Sequence, residues 1–143
     1  LGDEMISMDI AGKLRGFGAE VIWPESLNQE SVESWAGTLP KRVFWTVGRT
    51  TVGAALLMDR DPSIDGLVYL SCFGCGPDSI VVKTIENYLL HKPLLQITVD
   101  EHTGEAGILT RIEAFCDMLQ RRCAGENNLS AHGQCLHTHQ GTA

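Results

Sequence analysis

No apolar stretch in this sequence approaches the roughly 20 residues needed to cross a bilayer, because Gly, Asp or Lys breaks every candidate run within about ten positions. A membrane span is therefore not expected. Positive charge is also scarce: 11 Lys and Arg stand against 18 Asp and Glu, a formal net charge of -7, and the basic residues are scattered. Phosphate contacts need clustered cations, so the composition argues against a nucleic-acid surface. The opening "LGDEMISMDIAGKL" has no initiator Met, no basic leader region and no signal-like apolar core. It reads as a cut inside a longer chain. Five cysteines make an odd number, and with no secretory signal the expected compartment is the reducing cytoplasm. There, thiols and metal or cluster ligation are favoured over structural disulfides.

What remains is the profile of an ordinary globule: 143 residues, 43% hydrophobic and 20% charged, enough for one compact domain with a core. Met5, Ile6, Ile10, Leu14 and Phe17 fall at helical spacing, stopped by Gly16 and Gly18. "AEVIWP" follows as a short buried strand, near residues 20–23. Residues 25–42 read as a polar connection with one short helix. In "VFWTVGRTTVGAALLM", Phe44, Val47, Thr51, Ala54, Ala55 and Met58 form a helical stripe.

"DRDPSIDG" is turn chemistry, and "LVYLSCF" after it has the unbroken apolar character of a parallel strand, near 67–72. "PDSIVVKTIENYLL" predicts a helix with Pro77 at its first position and Val81, Ile85, Tyr88 and Leu89 on one face. "HKPLLQITVD" supplies another parallel strand, near 94–99. In "GILTRIEAFCDMLQRR", Leu109, Ile112, Phe115, Cys116 and Leu119 make the last stripe, and Arg121 and Arg122 suit a helix C-terminus. Alternating strands and helices imply a parallel sheet whose ligand edge lies at the strands' carboxyl ends. Residues 1–123 are expected to form this α/β lobe, and residues 124–143 a tail.

"SCFGCGPD" falls at that edge. With Gly76 and Pro77 opening a helix, Cys75 is expected beside unpaired backbone N–H groups and the positive end of the helix dipole, placed to react or ligate. Gly74 and Gly76 remove Cβ bulk on either side, so a cofactor or partner backbone could approach this sulfur. Cys72, in the strand, is expected to be the more buried thiol, a small core hydrophobe.

Two rival chemistries use the same pair. A C-x-x-C between strand and helix suggests a thioredoxin-like dithiol, although there the first cysteine stands at the helix start and here the second does. Zinc could recruit Cys72, Cys75 and His102, with no fourth protein ligand evident. In "ITVDEHTGEAG", Asp100, Glu101, His102 and Glu105 reach the same edge and could orient a cluster, bind a cation or move protons. The plainer reading of those carboxylates is a helix start, with Thr103 as cap. Cys116 reads as core. Cys123, Cys135, His132, His137 and His139 have metal-like spacing but read as a solvated tail.

The segments "ISMDIAGKLRGFGAEVIWPESL", "KRVFWTVGRTTVGAAL", "GLVYLSCFGCGPDSIV" and "PLLQITVDEHTGEAGILTRIEAF" together resemble the C-terminal region of activase-associated proteins related to the D component of 2-hydroxyacyl-CoA (2-hydroxyglutaryl-CoA) dehydratases. The resemblance is collinear from about residue 5 to residue 120. It implies a three-layer, flavodoxin-like or Rossmann-like parallel lobe, one of two that enclose a four-iron four-sulfur cluster. It implies Cys75 as the ligand from this lobe, the remaining ligands from an upstream lobe of the same polypeptide, and an ATP-hydrolysing activase of actin-like fold as electron-donating partner. The forms "FGCGPDS" and "DEHTGEAG" are those of an uncharacterised branch, so cluster chemistry carries over better than the acyl-CoA pocket does.

Overall fold

The computed structural model describes residues 9–39, 46–100 and 104–127. Its elements run in the order α1 (Ile10–Gly16), α2 (Gln29–Gly37), α3 (Thr46–Arg60), β1 (Leu67–Cys72), α4 (Gly76–Tyr88), β2 (Leu94–Val99) and α5 (Glu105–Asn127), with a 3-10 turn at Pro24–Ser26. The fold is mixed α/β and mostly helical. Among the described residues the sheet has two strands, β1 and β2, paired in parallel from Leu67↔Leu94 to Cys72↔Val99.

The chain divides into two compact units, Ile22–Glu101 and a second made of Leu1–Val21 with His102–Ala143. The first holds the β1–α4–β2 crossover that any parallel pair requires. Its core gathers Val52, Ala55, Leu56 and Met58 of α3, Ile64, Leu67 of β1, and Val81 and Ile85 of α4. Leu27, Trp35, Tyr69 and Leu94 pack against this cluster from partly buried positions. Gly53 sits where α2 meets α3: a Cβ there would run into the Val32 carbonyl oxygen, so only glycine allows this approach. Arg60 closes the same contact from the far end, its guanidinium 4.2 Å from the Trp35 ring centroid.

The last residue but one of α3 is a charge in the core. Asp59 is fully buried, and its carboxylate accepts backbone N–H bonds from Leu90 (3.2 Å), His91 (3.0 Å) and Lys92 (2.9 Å). Desolvation alone would raise its pKa, but the bonds from Lys92, His91 and Leu90 outweigh it and the value falls below the ordinary 3.8. Asp59 thereby fixes the loop that delivers the chain from α4 into β2. At the "DRDPSIDG" turn, Asp61 Oδ1 accepts from the Ser63 N–H (2.9 Å) and hydroxyl (2.7 Å), a local turn that releases the chain from α3.

In the second unit, α1 is capped by Asp9, whose Oδ1 accepts from the Gly12 N–H at 3.1 Å. Lys13 of α1 pairs with Glu105 of α5 at 2.9 Å, and the Lys13 ammonium holds the exposed Glu105 carboxyl below its usual range.

Several expectations are corrected. Residues 20–23 form no strand: Trp23 has an extended backbone, but Pro24 starts a 3-10 turn and Ile22 and Trp23 stay exposed. The stripe on α3 is buried as expected at Ala54, Ala55 and Met58, but Val47 is exposed, and Gly48, Val52, Gly53, Leu56 and Asp59 also face inward; Phe44 lies outside the described residues. Glycines and an acid on the inner face hid the full stripe from a count of apolar residues. On α4 Tyr88 is exposed while Val82 is buried, and on α5 Leu109 is exposed while Ile108 is buried. Helix α5 runs to Asn127, so Arg121 and Arg122 are not in its last turn; Arg121 pairs with Asp117 one turn earlier at 2.9 Å. Cys116 is core as expected, with burial pushing its thiol up, and Cys123 is a buried residue of α5.

Candidate functional site

β1 and β2 end level with one another, Cys72 opposite Val99, and the Phe73 N–H extends the ladder to the Val99 carbonyl at 3.0 Å. The chain then reverses in four residues. The Cys75 N–H donates to the Cys72 carbonyl at 3.2 Å, and Gly74 between them has φ of +77°. A positive φ at the third position is the mark of a type II turn, which asks for glycine. Gly74 is thus explained by the turn itself, without any need for a close ligand.

Cys75 is the N-cap of α4, Gly76 its first residue and Pro77 its second, one position later than the sequence suggested. The Cys75 side chain makes no capping hydrogen bond. Its thiol is free and half-exposed, at the carboxyl edge of the strands as expected. Cys72 corrects the sequence reading: it is exposed, and so less buried than Cys75. In the last two positions of β1, it is Ser71 that is buried, its hydroxyl 3.1 Å from that of Thr98, and alternation along the strand puts Cys72 on the other face.

Two residues of this corner were not foreseen. Asp78, in the first turn of α4, reaches back so that one oxygen accepts the Tyr69 hydroxyl and the other the Cys72 N–H, both at 3.4 Å. Burial first, and then the Asp78 carboxylate and the nearby Cys75, push the Tyr69 hydroxyl up to about 12. The signal in sequence was an acid three residues beyond the N-cap, a position from which carboxylates commonly reach back past the helix start.

Asp100 follows β2 directly and is exposed, so it shares the edge with Cys72 and Cys75. Gly76 is exposed, with open space where a Cβ would stand. Glu101 and His102 lie outside the described residues, as do Cys135 and the histidines at 132, 137 and 139. Among the described residues, no three His, Cys, Asp or Glu side chains are grouped to hold a metal, and no helix is long and apolar enough to cross a membrane.

No family model, curated protein or solved structure matches this chain.

Proposed function

We propose that Ile22–Glu101 is part of a three-layer, flavodoxin-like or Rossmann-like lobe that contributes a thiolate ligand to an iron-sulfur cluster. In this reading the protein is dehydratase-like or activator-associated, and receives electrons from an ATP-hydrolysing, actin-like activase. The observation that carries the reading is Cys75: a half-exposed thiol that makes no capping hydrogen bond at a helix N-cap, on the carboxyl edge of parallel strands. Ligands collect at such edges, and the dipole of α4 offsets part of a bound cluster's negative charge.

The donor set fits one share of a cluster. Four thiolates hold a four-iron four-sulfur centre, and the described residues offer Cys75, with Cys72 adjacent, so the other ligands would come from elsewhere. When bound, the cluster would supply low-potential one-electron chemistry. The chain's own part is to hold the Cys75 sulfur still: Asp78 anchors the end of β1 and the Gly74 turn sets the reach to α4.

Anaerobic incubation of the chain with ferrous iron and sulfide tests this, read as iron per chain and thiolate-to-iron absorption. Weak iron binding, abolished by Cys75→Ser and largely kept by Cys72→Ser, is expected. Chain purified in air is expected to be colourless. No binding at all, or binding indifferent to Cys75, overturns the proposal. Equal dependence on both cysteines, with zinc binding in place of iron, would favour a zinc module using Cys72 and Cys75.

A further inference from the structure

Beyond ligation, we propose that Cys72 and Cys75 form a reversible dithiol–disulfide pair that withdraws Cys75 from any metal when the surroundings turn oxidising. The withdrawal rests on the ligand reading above; the disulfide itself does not.

The geometry is that of two corners of one turn. The 3.2 Å bond between the Cys75 N–H and the Cys72 carbonyl closes a four-residue reversal. The ends of such a turn lie within about 7 Å, and a disulfide spans Cα separations of about 4.4–6.8 Å. Both ends are anchored from behind, Cys72 through its N–H to Asp78 and Cys75 as the N-cap of α4, while Phe73 between them is 76% exposed and holds nothing in the core. The two middle residues can therefore adjust without disturbing packing.

Access separates this pair from the other described thiols. Cys72 is exposed and Cys75 half-exposed, whereas Cys116 and Cys123 are buried on α5. A low-molecular-weight disulfide such as oxidised glutathione meets Cys72 first. The Cys72 thiolate attacks one glutathione sulfur, forming a mixed disulfide and releasing one glutathione thiolate. The Cys75 thiolate then attacks the Cys72 sulfur, closing the protein disulfide and releasing the second. Two protein thiols are oxidised and one glutathione disulfide is reduced to two thiols, the two protons leaving the protein sulfurs and ending, by way of solvent, on the released glutathione thiolates. A dithiol reverses the sequence. The order differs from a thioredoxin-like site, since the residue at the helix start is here the second to react.

The test equilibrates the metal-free chain in buffers of varied reduced-to-oxidised glutathione ratio, blocks remaining thiols and digests with trypsin. One peptide, residues 61–83, carries both cysteines. That peptide is expected to become two hydrogens lighter and unblockable as the ratio falls, and to revert with dithiothreitol. Cys75→Ser is expected to trap glutathione on Cys72, and Cys72→Ser to gain far less at Cys75. A peptide that stays fully blockable, or that carries two glutathiones instead of an internal bond, overturns the pair. If the bond forms, oxidised chain is expected to take up no iron until reduced. Iron uptake by oxidised chain overturns the withdrawal, whereas a reduced chain that binds no iron overturns the ligand reading and leaves the disulfide standing.

Discussion

A carboxylate in an apolar core costs several kcal/mol unless its oxygens are bonded, and Asp59 meets that condition with three backbone N–H groups. Removing it strands all three donors, each at about 1–3 kcal/mol. Asp59→Ala is expected to lower unfolding stability by about 3–5 kcal/mol and Asp59→Asn, which keeps one acceptor, by roughly 1–3 kcal/mol, both measured by urea titration. The pH dependence has a definite sign. Because the folded value lies below the ordinary 3.8, the stabilisation is fully present above that pH and is lost as pH falls through the lowered value. The gap between wild type and Asp59→Ala is therefore expected to narrow in strong acid, the neutral carboxyl keeping one acceptor as Asn does. Tyr69 runs the other way: with its hydroxyl raised to about 12, the folded state holds the proton longer, and stability falls as pH climbs from about 10 toward that value. In sequence Asp59 was readable only as the first residue of the "DRDPSIDG" turn. Its role depends on residues 31 to 33 positions away, and nothing in a local pattern pairs an acid with distant backbone.

Elements were more legible than residues, for a physical reason. Strands β1 and β2 and helices α4 and α5 are long apolar or periodic runs bounded by Gly, Pro or Asp, and local signals are strongest there. The segment near 20–23 has the same composition over fewer residues, and a strand exists only where a partner bonds it. On α3, the inward face carries Gly48, Gly53 and Asp59, residues that a hydrophobicity pattern counts as surface. Gly53 makes the point testable. Alanine would gain about 1 kcal/mol of helix propensity, but overpacking costs about 1–3 kcal/mol, and here the obstruction is the Val32 backbone. Gly53→Ala is expected to lose about 1–2 kcal/mol net, seen as a lower urea midpoint with an unchanged slope.

For the molecule as a whole, composition spoke most plainly about charge. With a formal net charge of -7 and a sequence pI near 5.1, the chain is expected to pass unretained through immobilised heparin or DNA at moderate salt; salt-dependent retention would reveal a basic surface that the counts conceal. Connectivity was less visible, since a parallel pair says nothing about what holds its crossover shut. Here two links do so: the ladder, whose Ser71–Thr98 contact spans 27 residues, and the Asp59 bonds, which span 31 to 33. Closing a flexible loop costs entropy that grows only as the logarithm of its length, so either closure alone would be about equally unfavourable. The two loops overlap along most of their course, and once one is shut the other needs only short segments to order. Their closure entropy is thus largely shared. The final strand is held by the same event that holds the α3 terminus, and Ile22–Glu101 should lose both together instead of shedding β2 first.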